Sequence, residues 1–195
     1  MTSEPAIEVR NLHHSYGDFE VLRGIDLTVE RGESLVILGG SGSGKSTLLR
    51  AILGLQRPTR GSVSMLGTDV YSAAPEELRR LRQRVGVAFQ SGALFGSLTV
   101  GQNVDLPLAE FTGLPESTRQ IVVRIKLALV GLEPAVDRRP AELSGGMRKR
   151  AAFARAMALD PAVLLCDEPS GGRGTVTAAG RGRRLGQRER GLGLN

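Results

Sequence analysis

Three observations predict an α/β fold with a parallel core sheet and an inserted helical subdomain. A short apolar run at residues 34–38 feeds a glycine-rich loop and then a helical pattern. A second apolar run, 162–166, ends on two acids, Asp167 and Glu168. Between the two, from about residue 98 to 158, the pattern is mostly helical. Continuous apolar runs suit strands buried on both faces of a parallel sheet. Strands, then helices, then a strand suggest one α/β core carrying a helical insertion. A chain of 195 residues fits one ordinary domain with a subdomain.

Each element has its own signal. Ile7 and Val9 alternate with Glu8 and Arg10, and Ile25, Leu27 and Val29 repeat the alternation, as half-buried strands do. These open an expected N-terminal antiparallel β-subdomain. Arg31-Gly32 makes a turn before the strand at 34–38. Residues 47–53 form a helical pattern closed by Gly54. Residues 61–66 and 85–89 read as strands. Pro75-Glu76-Glu77 starts a helix, with Pro in the first turn and acids near the positive end of the dipole. Pro115-Glu116 opens another, with Ile121, Ile125 and Leu129 predicted as its core face and Gly131 as its end. Ser144 caps a last helix that faces the core with Met147, Ala151, Ala154 and Ala158.

The chemistry concentrates at the glycine-rich loop. Gly39-Gly40-Ser41-Gly42-Ser43-Gly44-Lys45-Ser46 fits the phosphate-loop pattern G-x-x-x-x-G-K-[ST], with Thr47 next in the helix. Small residues let backbone N–H groups wrap closely around phosphate oxygens. Lys45 is placed to neutralise β- and γ-phosphates, and the Ser46 hydroxyl to ligate Mg²⁺. The positive end of the following helix points at the same anion. Such a loop expects an acidic strand as partner, and Val163-Leu164-Leu165-Cys166-Asp167-Glu168 supplies it. Asp167 is the expected Mg²⁺ holder and Glu168 the expected general base. Cys166 lies inside that strand and reads as a small buried hydrophobe.

Composition narrows the remaining classes. Forty-one per cent of residues are hydrophobic, which permits a buried core. No apolar run approaches the roughly 18 residues that cross a bilayer. The N-terminal Met1-Thr2-Ser3-Glu4-Pro5 lacks the basic and apolar regions of a signal peptide. A single cysteine excludes an intrachain disulfide framework, and adjacent His13 and His14 would face opposite sides of a strand. The formal charge is +6, of which residues 173–195 hold +5 through six Arg and one Glu. That Gly/Arg-rich segment is expected to be disordered. The basic run Arg148-Lys149-Arg150 reads as a solvated helix face. The charge excess is therefore poor support for a nucleic-acid partner, and none is expected.

Leu143-Ser144-Gly145-Gly146-Met147-Arg148-Lys149-Arg150, ahead of the acidic strand, resembles the signature motif of ABC-transporter ATPases, with Met147 where many members have Gln. Other family motifs follow in order. Tyr16 resembles the aromatic that stacks on adenine, and Gln90, in Phe89-Gln90-Ser91-Gly92-Ala93-Leu94-Phe95, resembles the glutamine that contacts Mg²⁺ and the attacking water. The resemblance covers about residues 6–172, with the helical subdomain at about 92–158. It implies a P-loop ATPase of ABC type that uses ATP and Mg²⁺ and lies peripherally on the cytoplasmic face of the inner or plasma membrane. It implies a homodimer in which Ser144, Gly145 and Gly146 of one subunit cover the ATP held by the other, together with a membrane permease.

The wording around Gln90 and Met147 looks most like the Mla-type ATPases, which implies phospholipids or other hydrophobic molecules as cargo and an MCE-type lipid-binding subunit. The 122-residue gap from Lys45 to Asp167 disfavours the branches that carry a long coiled coil there. After Gly172 the pattern departs. Arg173 and Gly174 stand where the family has Leu-Asp, and both histidines lie far upstream of the family's γ-phosphate histidine position. The resemblance thus also implies a chain truncated or frameshifted after Gly172, with a sheet that is incomplete. The alternatives to an active transport ATPase are a non-catalytic nucleotide-binding module and, from the basic tail alone, a nucleic-acid-associated ATPase.

Overall fold

The computed structural model describes residues 4–89 and 92–167, and the backbone of 189–194. It comprises two compact units, one of residues 1–81 with 177–195 and one of 82–176. Gln90, Glu168 and the Arg173-Gly174 pair lie outside the described residues.

In the first unit, β1 (Ile7–Tyr16), β2 (Phe19–Val29), β4 (Arg60–Met65) and β5 (Thr68–Asp69) form an antiparallel sheet in the order β2-β1-β4-β5. The expected N-terminal antiparallel subdomain is therefore present. The register of β1 against β2 shifts between Val9 and Leu12, where Asn11 adopts a φ of 44° and its N–H donates to Asp26 Oδ1 at 2.7 Å. This bulge inserts one residue and changes the phase of the strand. Ile7, Val9, Leu12 and His14 are the buried positions, rather than a strict alternation through Asn11 and His13.

β3 (Ser34–Gly39) runs into α1 (Lys45–Ile52), whose Leu48, Ala51 and Ile52 are buried. Gly54, with a φ of 69°, follows the helix end as expected. α1 packs against β2, β3 and β4. β3 was expected to be buried on both faces, yet Val36 and Leu38 are exposed. One helix covers one face of a strand, and alternate residues point the other way. β8 (Glu189–Leu194) pairs with β3 in parallel, Ser34 opposite Glu189 through Gly39 opposite Leu194. Composition had placed these residues in a disordered tail. Strand pairing uses backbone groups, which every non-proline residue carries, so a Gly/Arg-rich composition does not forbid it.

The first unit ends in α2 (Pro75–Gln83), which begins on the predicted Pro75 and runs just past the unit boundary. In the second unit, β6 (Val85–Ala88) and β7 (Val163–Cys166) pair in parallel. Among the described residues the parallel strands thus occur as two pairs, β3–β8 and β6–β7. Gly86 is required where α5 (Gly145–Ala156) crosses β6: a Cβ there would collide with the Ala156 carbonyl oxygen.

The helical insertion is α3 (Val100–Phe111), α4 (Glu116–Leu129), two short 3₁₀ turns and α5. Thr99 and Gln102 close a capping box on α3, and Ser144 Oγ accepts from Met147 N at 3.3 Å on α5. Val100, Val104, Leu108, Val123, Leu127, Ala151, Ala154 and Ala158 form one buried cluster, with Met147 packed against it.

The predicted core face of α4 is corrected. Ile121, Ile125 and Leu129 are 60%, 54% and 69% exposed, and Val123, Lys126 and Leu127 face inward. Both faces of this helix are apolar in sequence, so period alone does not choose between them. Val123 and Leu127 are the wholly buried pair, and polar contacts accompany them. Arg119 Nε and Nη2 grip the two Asp105 oxygens at 2.8 and 3.3 Å, and Lys126 Nζ reaches Asp160 Oδ1 at 2.5 Å. A two-pronged guanidinium–carboxylate pair fixes the rotation of one helix against another.

Candidate nucleotide site

The strand–loop–helix at residues 34–52 builds an anion cradle. Gly42 and Gly44 take φ values of 82° and 93°, a region that L side chains rarely adopt. A Cβ on Gly44 would also press Val21 Cγ1 at 3.0 Å and Leu22 Cδ2 at 3.1 Å, because β2 packs against the loop. Around Gly40 and Gly42 the space is open. Gly44 N-caps α1 without any side-chain cap, and no acid occupies the first turn. The first-turn N–H groups of a helix have no intrahelical acceptor, and together with the helix dipole they favour an anion. Lys45 Nζ donates to the Gly39 and Gly40 carbonyls, each at 2.8 Å, and reaches Ser43 Oγ at 3.4 Å. This cation curls the loop around itself and supplies positive charge at its mouth. The donor set fits a phosphate chain.

Ser41 and Ser43 lie in the loop, while Ser46 and the buried Thr47 sit in the first turn of α1. Tyr16, at the end of β1, is 47% exposed. Its hydroxyl donates to Gln56 Oε1 at 2.8 Å. Hydrogen bonding with Thr47, the largest influence, holds its phenol below the ordinary tyrosine range. Tyr16 and the phosphate-loop helix are therefore brought together through Thr47. His13 and His14 take different partners: His13 Nδ1 pairs with Glu20 at 2.8 Å, while buried His14 meets Gln56. The sequence reading missed Gln56. A lone glutamine in a loop carries no signal until its neighbours are known.

The second unit presents the other motif residues. Asp167 follows β7, and its N–H donates to the Ala88 carbonyl at 2.9 Å. Cys166 is partly buried, and burial pushes its thiol up, in keeping with a packing role. No cluster of three or more His, Cys, Asp or Glu occurs among the described residues. Mg²⁺ is commonly held by one or two carboxylates, waters and substrate phosphates, so it does not require such a cluster.

At the start of α5, Ser144, Gly145 and Gly146 are exposed, and no acid lies in the first turn. This is a second helix N-terminus suited to an anion. The following basic run is not merely solvated. Arg148 Nη1 donates to the Leu143 carbonyl at 2.6 Å, and Arg150 Nη1 donates to the Val130 carbonyl at 2.8 Å. Arg150 thereby satisfies an orphan acceptor at the end of α4.

The second unit also has a groove of about 510 Å³, lined in part by Phe95, Leu106, Pro107, Phe111 and Arg155. Arg155 donates to the Ala93 and Gly92 carbonyls at 2.8 and 3.3 Å and lies 5.9 Å from the Phe95 ring centre. Burial pushes its guanidinium below the ordinary arginine range. Arg155 thus ties α5 to the segment that follows Gln90. No helix among the described residues is long and apolar enough to cross a membrane.

A family model described as ABC transporter matches residues 22–171. The probable ribonucleotide transport ATP-binding protein mkl of Mycobacterium tuberculosis is 47% identical over 174 residues, 89% of this chain and 48% of that protein. The methionine import ATP-binding protein MetN of Brucella abortus is 42% identical over 167 residues, 86% of this chain and 45% of that protein. The chain spans about half the length of these curated relatives. A dimeric post-hydrolysis structure of the ATP-binding cassette MJ0796 with ADP and Pi superimposes with a TM-score of 0.79 at 32% identity, covering 87% of this chain and 76% of that one. The antiparallel sheet, the phosphate loop on α1, the helical insertion and the matched residues lead to one assignment: the chain belongs to the ABC transporter family and has the fold of its ATP-binding cassette.

Proposed function

We propose that this chain binds and hydrolyses ATP to drive an ABC transporter. The observation that carries the reading is the phosphate loop, with two glycines at positive φ, an uncapped α1 without acids and the Lys45 cation at its mouth. In this reading Lys45 and the loop amides bind the phosphates, and Tyr16 offers its ring to the base. Ser46, Asp167 and Gln90 serve as Mg²⁺ contacts, and the Glu168 carboxylate takes the proton of the attacking water. Bound Mg²⁺ would supply charge neutralisation at the β- and γ-phosphate oxygens.

A second copy contributes Ser144, Gly145 and Gly146 to the γ-phosphate. The dimeric form of the similar cassette and the open N-terminus of α5 support this. The groove beside Phe95 and Phe111 supports docking of a permease segment and hence a peripheral place on the membrane. The names of relatives point to different cargoes, ribonucleotides for mkl and methionine for MetN. We assign a lipid-like cargo, with an MCE-type partner, on the wording around Gln90 and Met147 alone.

The test is Mg²⁺-dependent ATP turnover by the full chain, with Lys45→Ala and Glu168→Gln as controls. Turnover should vanish in both variants, and ATP binding should survive only in Glu168→Gln. Absence of ATP binding in the parent would overturn the reading. Arg173 and Gly174 in place of Leu-Asp, just beyond the residues the family model matches, favour a second reading as a non-catalytic nucleotide-binding module. ATP binding without turnover in the parent would select it.

A further inference from the structure

The phenol of Tyr16 belongs to a small network that runs from the exposed ring to the buried His14. Gln56 accepts from it at Oε1, 2.8 Å away, and places its own Nε2 2.7 Å from His14 Nε2. A carboxamide that accepts at oxygen donates from nitrogen. This makes His14 Nε2 the acceptor and puts the imidazole proton on Nδ1. His14 is 7% exposed, and its Nδ1 has no hydrogen-bond partner among the described residues. The His14 ring also meets Tyr16 edge-on, with centres 4.9 Å apart and planes at 81°.

Gln56 is itself pinned. At the main chain, Tyr71 Oη shares its proton between the Gln56 backbone carbonyl at 2.6 Å and the Ala51 backbone carbonyl of α1 at 2.5 Å. The network leaves a buried donor unpaired, an arrangement that calls for an explanation beyond stability.

We propose that Gln56 and His14 are positioning residues for Tyr16, holding its ring at one orientation beside Thr47 of α1 so that the exposed ring can stack on the base of a bound nucleotide. The inference rests on the reading of Tyr16 as the base platform. A ring ordered before binding loses less rotamer freedom on binding, and that gain appears as affinity. The same contacts tie the base-side ring to the helix that carries Lys45. Base and phosphate recognition are thereby set in register by one hydroxyl.

The chain has two tyrosines and no tryptophan. Two sets of tyrosine ring signals are therefore expected by NMR, and Tyr16→Phe identifies the Tyr16 set. Gln56→Leu should move the Tyr16 signals. It should weaken ATP binding about threefold and leave inorganic tripolyphosphate binding unchanged. Gln56→Glu keeps an acceptor for the phenol and should restore ATP affinity. His14→Ala should act like Gln56→Leu.

Tyr16→Ala separates the two readings, with an expected loss of about tenfold in ATP affinity. If that loss occurs while Gln56→Leu changes neither ring signals nor ATP affinity, the positioning proposal fails and the platform stands. Equal weakening of ATP and tripolyphosphate by Gln56→Leu would mark a structural effect and also overturn the proposal. If Tyr16→Ala leaves ATP affinity intact, the platform reading falls and the proposal with it.

Discussion

Asn103 grips Phe95 by both of its backbone groups: Oδ1 accepts the Phe95 N–H at 2.8 Å, and Nδ2 donates to the Phe95 carbonyl at 3.1 Å. The same Nδ2 reaches the Thr99 carbonyl at 2.9 Å, and Asn103 is wholly buried in α3. One carboxamide therefore fixes the loop between Phe95 and the α3 cap. Asn103→Leu would leave these groups unpaired away from water, at a cost of about 1–3 kcal/mol. The urea midpoint should fall accordingly, whereas Thr99→Ala, which removes only the cap, should cost about 1 kcal/mol.

The rotation of α4 is checked by paired substitutions. Ile121→Ser and Ile125→Ser, on the exposed stripe, should each change stability by no more than about 0.5 kcal/mol. Leu127→Ala, in the core, should cost about 2–5 kcal/mol. Equal costs on the two faces would contradict the observed rotation.

Tyr71 makes stability depend on alkaline pH. Burial pushes its phenol from 10.0 up to about 12, and its two backbone partners are carbonyls that cannot donate to a phenolate. A folded pKa above the unfolded one means that the unfolded state loses its proton first. The stabilisation is complete below about pH 10 and declines as pH rises to about 12. Denaturation midpoints should fall across that window in the parent. Tyr71→Phe should remove this part of the decline and cost about 1 kcal/mol at neutral pH.

Gly44 is the sharpest test of the phosphate loop. Alanine there meets a φ of 93° and the Val21 and Leu22 side chains at once. Gly44→Ala should abolish ATP binding measured by calorimetry. Gly40→Ala, which enters open space, should be milder.

Much of the site was legible in the sequence because its chemistry is carried by the main chain. A glycine-rich loop between an apolar run and a helical pattern predicts the strand–loop–helix turn observed, with Gly42 and Gly44 at positive φ and Lys45 folded back on the Gly39 and Gly40 carbonyls. Helix ends were legible for a similar reason. Ser144, Pro115, Gly131 and Gly54 act within a few residues of their own position. The Tyr16 support was not legible, since Gln56 lies 40 residues from Tyr16 in the chain.

The sequence by itself determined the local geometry: strands at the apolar runs, caps at the helix ends and a glycine-rich strand-to-helix loop at residues 39–46. Tertiary structure decided which way elements face. A bulge at Asn11, not alternation, buried Leu12 and His14. Packing of Val123 and Leu127 into the helical core, with the Arg119–Asp105 and Lys126–Asp160 pairs beside them, left the Ile121 stripe outward. Backbone pairing with β3 drew residues 189–194 into a strand that composition had left as tail. The physical reason is common to all three. Propensity and capping act over one or two turns of chain, while burial and pairing depend on partners that only the folded chain brings near.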